Sequence, residues 1–262
     1  MKSFLIFILI IFSLQAFTPG KWSPLDKYVM GLDSFGPISE EVKTKDGKIL
    51  YKAEYEYDDK GRLIKEKFKK GEGTGDGETV YTYEKNKLSF EELYSTKGLE
   101  ERKVFKYTPN GELKEITVFN TEGKETMKYK ILSMWRGMAS DGEIKWLEDK
   151  EVEIFNLKKD LYNEKLYNQE IFDEKRKTVA VIRYYFDENG KIIKRENIQA
   201  ESKRMSEIKY DESNRVTEIS FSIFKDNDWV LLKTHSYKYN GGTETPKTGP
   251  LPNPKAVNPS SP

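Results

Sequence analysis

The chain has 262 residues, with 45 Lys and Arg against 44 Asp and Glu, 34 % charged residues and no cysteine. Because the net charge is close to zero, the protein as a whole has no electrostatic field that would attract nucleic acid or an anionic lipid surface. The lack of cysteine excludes disulfides, thiolate metal sites and thiol nucleophiles.

The start of the chain has the form of an export signal. Lys2 is followed by the unbroken apolar run from Phe4 to Phe12, and then by a short stretch that ends at Ala16. We therefore expect a signal peptide over residues 1–16. The run is shorter than the ~20 residues that a membrane-spanning helix requires, so no membrane-spanning helix is predicted. Export without cysteine favours a bacterial envelope protein that is periplasmic, on the outer surface or extracellular.

Two more segments flank the predicted folded region, which covers residues 38–240. Residues 17–37 mix Pro and Gly with apolar side chains and predict an irregular N-terminal lead-in that covers the first edge of a sheet. Residues 241–262 hold six of the ten prolines and no aromatic residue. Such a composition cannot bury enough surface to fold, so a disordered Pro-rich tail is predicted.

The region 38–240 repeats one motif, an aromatic-x-aromatic triplet followed by Gly or Asn and then by an aliphatic residue. Five copies run from Tyr55 to Leu63, Tyr81 to Leu88, Phe105 to Leu113, Tyr184 to Ile192 and Ile208 to Val216. Degenerate copies are placed at Tyr129-x-Ile131 and near Ile154-Phe155, and an unfinished copy at Tyr237-x-Tyr239. A unit of about 24 residues holds two strands and two turns, so about 14 to 16 strands are expected.

The residues between the turns alternate with the period of a strand. In the last copy Trp229, His235 and Tyr237 share one parity, and Asn110-Gly111 is a strong hairpin signal. We predict an all-β fold in which repeated antiparallel β-hairpins form a long twisted meander or half-open barrel. Interspersed charges predict solvated strand faces with cross-strand pairing.

Two segments fit the pattern less well. Val179 to Phe186 is apolar on both parities, which predicts a strand covered on both sides. Glu148 to Ile171 has a spacing compatible with a helix or a strand, and we favour a strand.

The segment Tyr55 to Leu63, with the sequence YEYDDKGRL, resembles the YD repeat of Rhs-type bacterial surface proteins and toxins. The copies at 184–192 and 208–216 are near matches, whereas Glu84 and Thr108 replace the Asp in two others. The resemblance implies a spiralling β-sheet and an envelope or extracellular setting. It covers about 180 residues, too few for a closed shell around a cargo, and it implies no catalytic residues.

The chain offers few catalytic candidates. His235 is its only histidine and lies in the middle of a predicted strand, so a packed or edge histidine is favoured over a catalytic base. No pair of carboxylates stands out in an apolar pocket. Gly71 to Glu78 lacks the signatures of a phosphate loop or an EF-hand and predicts a flexible loop, and Asp226-Asn227-Asp228 predicts a hairpin tip. No catalytic residue, metal or cofactor is predicted.

The segment from Ser133 to Trp146 interrupts the repeat and is the best candidate for function. Trp135, Arg136 and Trp146 are of the types enriched at binding hot spots, and we add Trp229 as a fourth candidate. The observation that tests these candidates is whether Trp135, Trp146 and Trp229 line an open groove; the favoured alternative is that Ser133 to Trp146 plugs the end or the concave face of the sheet.

Three functions follow from these patterns. The first is an exported, non-enzymatic envelope or extracellular protein that presents a β-surface to a protein or glycan. The second is an outer-membrane β-barrel, which needs a continuous apolar outer face, although charges occur here on both parities of most strands. The third is a periplasmic hydrolase.

Overall fold

The computed structural model of the protein describes residues 36–71, 75–136 and 138–240, and within these ranges the chain forms sixteen strands and no α-helix. The strands, in chain order, are β1 (Ser39–Thr44), β2 (Ile49–Tyr57), β3 (Leu63–Lys70), β4 (Gly77–Glu84), β5 (Lys87–Ser95), β6 (Gly98–Tyr107), β7 (Leu113–Asn120), β8 (Glu125–Trp135), β9 (Met138–Trp146), β10 (Glu151–Lys159), β11 (Leu166–Phe172), β12 (Thr178–Phe186), β13 (Ile192–Gln199), β14 (Ser202–Tyr210), β15 (Val216–Lys225) and β16 (Asp228–Lys238). Each strand pairs with its neighbours in the chain, and β1 pairs with β16, so one antiparallel sheet closes into a barrel.

The predicted all-β fold of repeated antiparallel hairpins is confirmed. The sheet is closed rather than half open, because β1 pairs with β16 from Ser39 to Thr44. The first strand therefore leaves no edge for the lead-in to cover, and closure removes the unpaired backbone groups that an edge would expose. The predicted signal peptide, the tail and all of the lead-in except residues 36–37 lie outside the described residues.

The repeated triplet marks the residue that points into the barrel. In every copy the first member is buried, as are the aliphatic residues that follow the turn: Tyr55, Tyr81, Phe105, Tyr129, Phe155, Tyr184, Ile208 and Tyr237, then Leu63, Leu88, Leu113, Ile192 and Val216. Because side chains alternate along a strand, the residues between them face outward. The degenerate copy placed near Ile154-Phe155 is one residue later, at Phe155-x-Leu157.

Where the second member of the triplet is Tyr83, Tyr107, Tyr210 or Tyr239, it ties its copy to the preceding one. The hydroxyl of Tyr83 donates to the carbonyl oxygen of Leu63 at 2.9 Å, while the Arg62 guanidinium lies 4.6 Å from the centre of the Tyr83 ring. The same pair of contacts recurs at Tyr107, Tyr210 and Tyr239. The basic residue after one turn thus contacts the ring of the next tyrosine, and the aliphatic residue accepts its hydrogen bond. This explains why a basic and an aliphatic residue recur together after the turn.

Replacing Tyr83 by Phe is expected to lower the free energy of unfolding by about 1 kcal/mol, because the Leu63 carbonyl then loses a partner in a half-buried place. Chemical denaturation of the purified protein measures the change. Tyr162 is 96 % exposed, so Tyr162→Phe is the matched control and should leave stability unchanged. Equal stability of all three proteins would contradict the proposed tie between copies.

The turns of the motif have a shared hydrogen-bonding pattern. The Asp58 carboxylate accepts hydrogen bonds from the backbone N–H groups of Lys60 and Arg62 at 2.9 Å and from Arg62 Nε at 2.6 Å. Gly61 has φ of 73°, in the left-handed region that the turn requires. These turns lie at one end of the barrel, which we call the motif rim; the other end is the opposite rim.

The structure decides three predictions on individual segments. Glu148 to Ile171 forms β10, a loop and β11, so the strand interpretation is confirmed. Asp226 and Asn227 have φ of 52° and 66° and form the predicted tip between β15 and β16. The prediction that Val179 to Phe186 is covered on both sides is wrong: Val179 and Arg183 face outward and are exposed, because this strand belongs to a single layer.

The barrel is mainly apolar inside, with some buried polar and charged groups, and charged outside. Its buried apolar side chains form one cluster. Cross-strand ion pairs lie on the outer face of β2, β3 and β4, with Lys67 Nζ 2.6 Å from Glu56 and Lys65 Nζ 3.1 Å from Glu78. Further outer pairs join β6 to β7, β10 to β11 and β14 to β15, whereas the pair of Lys103 and Glu91 between β5 and β6 faces inward. The predicted solvated faces with cross-strand pairing are confirmed, although each such pair adds only about 0 to 1 kcal/mol.

Candidate functional site

The structure separates the predicted binding residues. Trp135 and Arg136 lie at the end of β8, on the motif rim, whereas Trp146 ends β9 and Trp229 begins β16, both on the opposite rim. Because β9 and β16 are seven strands apart in the sheet order, the two tryptophans on the opposite rim are also remote from each other. The three tryptophans therefore do not line one groove.

The two tryptophans of the opposite rim pack locally. The Trp146 side chain packs against the core, next to Glu153, whose pKa is raised by burial. Trp229 meets Phe224 edge to face at 5.3 Å. A register shift within β16, between the partners of Phe221 and Ser222, breaks the alternation, so Trp229 does not share the face of His235 as its parity predicts.

Trp135 and Arg136 border a cleft on the motif rim, which we call the rim cleft. Its volume is about 220 Å³, and it lies between the turn after β8, the loop from 160 to 165 and the turn from 187 to 190. Its lining residues are Arg136, Glu164, Lys165, Tyr167, Phe186, Asp187, Glu188, Asn189 and Gly190.

Two of the lining residues, Tyr167 and Phe186, pack with Trp135, and we call these three rings the wall of the rim cleft. The Trp135 and Tyr167 rings lie 4.3 Å apart, and Phe186 meets them edge to face at 5.6 and 5.3 Å. Such pairs are stabilising beyond the area that they bury. The three rings therefore support one another next to the cleft.

Arg136 is the most unusual residue of the rim cleft. It is exposed, and its φ of 48° lies in the left-handed region, which a residue other than Gly seldom adopts. Its guanidinium carbon lies 4.9 Å from the centre of the Trp135 ring. A Cβ added to Gly190 would be only 2.5 Å from Arg136 Nη1, so the guanidinium lies directly against the backbone of that turn.

The acidic residues around Arg136 already have partners. The Asp187 carboxylate accepts hydrogen bonds from the backbone N–H groups of Asn189 and Lys191. Glu188 is 3.2 Å from Lys165 Nζ, and Glu164 is 4.0 Å from Lys159 Nζ. No carboxylate of the described residues lies within 4.0 Å of Arg136, which is thus the cleft's free charge.

A second cluster of ionisable groups is buried at the seam between β1 and β16. The Glu40 carboxylate contacts Nδ1 of His235 and accepts a hydrogen bond of 2.5 Å from Tyr55. His235 is 5 % exposed, and its ring packs 4.9 Å from Phe221. The prediction of a packed histidine is confirmed.

A buried carboxylate on β3 extends this cluster. Glu66 accepts hydrogen bonds from Tyr51 and Tyr81. Burial, and then the charge of Glu66, raise the pKa of Tyr51 far above its ordinary value, so its hydroxyl stays protonated and donates. In the described part of the chain, no group of three His, Asp or Glu side chains is placed to hold a metal ion. The cluster lies inside the barrel, where we assign it a role in stability.

Sequence reasoning identified Trp135 and Arg136 but missed the rest of the rim cleft. Tyr167 lies in β11 and Glu188 in the turn after β12, and no local pattern links them to Trp135. Phe186 did carry a signal: it stands where other copies have a tyrosine, and without a hydroxyl it cannot make the bond that ties copies together.

No family profile matches the chain, and no curated protein does either. Among solved structures, the chain is similar to a porin-like protein from Bacteroides uniformis ATCC 8492, with 12 % identity and a TM-score of 0.49 over 77 % of this chain and 96 % of that one. A porin-like protein from Bacteroides vulgatus ATCC 8482 gives 9 % identity and a TM-score of 0.34 over 79 % of this chain and 100 % of that one. The TcdB2-TccC3-TEV structure gives 11 % and 0.25, and covers 71 % of this chain but 12 % of that one. At such values the likenesses assign no function.

No helix among the described residues is long and apolar enough to cross a membrane.

Proposed function

We propose that this protein is an exported, non-enzymatic barrel of the bacterial envelope or extracellular space that binds a glycan or protein ligand in the rim cleft. The observation that carries the proposal is the rim cleft itself, where the Arg136 guanidinium packs against the aromatic wall and has no carboxylate partner. Elsewhere on the same rim, Arg62 and Arg215 are paired with Asp58 and Asp211. A cleft with an unsatisfied charge is suited to a ligand.

The distribution of side chains supports a barrel surrounded by water. Outer-membrane barrels carry an apolar band outside and a polar interior, and barrels of 16 to 18 strands of that kind enclose an aqueous channel. Here buried apolar side chains form one cluster inside the barrel, next to a smaller set of buried polar and charged groups, and most ion pairs lie outside. A Lys or Arg facing lipid at the bilayer centre costs about 2 to 4 kcal/mol, and Lys65 and Lys67 both face outward.

An outer-membrane β-barrel is the second candidate function, favoured by the closed sheet, the even number of strands and the short turns. The two candidates differ in their need for lipid. We expect the exported, purified protein to remain folded and monodisperse without detergent, as measured by circular dichroism and size-exclusion chromatography. Folding that requires detergent micelles would favour the membrane barrel and contradict our proposal.

The resemblance to YD repeats also stays a proposal. It is supported by the roles of its signature residues: Asp58 and Gly61 form the turn, while Arg62 and Leu63 seat the next tyrosine. The signature would thus be a device for linking hairpins, which is compatible with many functions.

A further inference from the structure

We infer that the rim cleft recognises a uronic acid residue of an acidic glycan, with the Arg136 guanidinium bound to the sugar carboxylate. The inference rests on the proposed function, because it names the ligand class of the same cleft. It follows from the charge, the size and the lining of the rim cleft.

The charge argument starts from the arginines of the motif rim. Arg62 and Arg215 also lie over aromatic rings, at 4.6 and 4.8 Å, but each has an Asp within 2.8 Å. Arg136 likewise lies over an aromatic ring, that of Trp135, but has no carboxylate partner. Its planar fork of N–H donors matches a carboxylate with two parallel hydrogen bonds, and stacking on Trp135 holds that fork in place before binding.

The size of the rim cleft limits the ligand. Its volume of about 220 Å³ is below the range of about 300 to 1,000 Å³ that is usual for drug-sized molecules. A single sugar ring of a longer chain suits this volume, because the cleft is open and neighbouring sugars can extend over the rim.

The lining favours a sugar over an apolar peptide side chain. The floor and sides carry polar groups from Glu164, Lys165, Glu188 and Asn189, and the rings of the wall mainly contact each other. Carboxylates, an ammonium group and an amide offer both donors and acceptors to hydroxyl groups. A polyol with one carboxylate therefore matches both the free cation and its polar surroundings.

Titration with trigalacturonic acid tests this inference, with its methyl ester as a probe that keeps the rings and removes the charge. NMR of the purified protein reports the Trp135 indole N–H, which is next to the Arg136 side chain. We expect the acid to shift this signal in a saturable way. The ester should bind the native protein at least roughly tenfold more weakly than the acid does. The acid should bind Arg136→Gln at least roughly tenfold more weakly than it binds the native protein. Lys87→Gln is the matched control, since Lys87 lies over Tyr107 on the same rim outside the rim cleft, and it should bind like the native protein.

Any other result of this titration contradicts the inference, in one of three ways. Equal binding of the acid and its ester, or of the native protein and Arg136→Gln, would overturn the inferred carboxylate contact. If neutral maltotriose or a short peptide shifts the Trp135 signal and trigalacturonic acid does not, the rim cleft is a binding site with another ligand, so only the inference falls. If none of these probes shifts it, both the inference and the binding role of the rim cleft are contradicted.

Discussion

Replacing Phe155 by Ala is expected to lower the free energy of unfolding by about 3 to 5 kcal/mol, the usual cost of deleting a buried aromatic ring. Phe155 is 2 % exposed, and its ring lies 5.2 Å from that of Tyr129. It also fills the space beside Gly142 on the neighbouring strand, where an added Cβ would lie 2.3 Å from Phe155 Cζ. Without the ring, the glycine leaves a cavity that no nearby side chain can fill.

Denaturant unfolding of the native and variant proteins measures this change. Phe224 is 38 % exposed, so Phe224→Ala is the matched control and should cost much less, because less apolar surface is returned to water. Losses of similar size at the two positions would show that Phe155 does not fill a notch in a packed interior. Such a result would also weaken the argument against an open channel.

The local parts of the fold could be predicted from the sequence because their causes are local. The alternation that buries Tyr55 and Leu63 depends on the period of a strand, and the turn between them depends on Asp58 and Gly61 within five residues. Copying this unit fixes the order and direction of the strands. The positions of successive hairpins therefore followed from the spacing of the triplets.

Closure of the sheet could not be predicted in the same way. It depends on pairing between β1 and β16, whose contacting residues Glu40 and His235 are 195 positions apart. Neither strand carries a local signal that names its partner. The prediction for Val179 to Phe186 failed for a related reason: apolar residues at outward positions do not require a second layer, since folded proteins expose much apolar surface.

The rim cleft could be predicted only in part. Trp135 and Arg136 were found because they interrupt the repeat, but the rest of the cleft comes from the ends of β10 to β13, the next hairpins on the same rim. Trp229 was misplaced because one extra residue in β16 shifts the alternation. A register irregularity of this kind has no clear signature in the sequence.

Replacing His235 by Ala is expected to destabilise the protein by about 3 to 5 kcal/mol, because removing one partner of a buried pair leaves the other without compensation. The Glu40 carboxylate, only 3 % exposed, would keep the hydrogen bond from Tyr55 but lose its contact with the imidazole. The loss should be concentrated at the seam. Amide hydrogen exchange should therefore accelerate first in β1, which pairs with β16 over only six residues.

A double-mutant cycle separates this effect from the loss of ring packing against Phe221. Glu40→Gln removes the charge that His235→Ala would strand, so the two changes together should cost less than the sum of the single changes, by about 0.5 to 3 kcal/mol. Additive losses would mean that His235 contributes by packing alone. The seam would then be held by its backbone hydrogen bonds, and the buried carboxylate would have no part in closing the barrel.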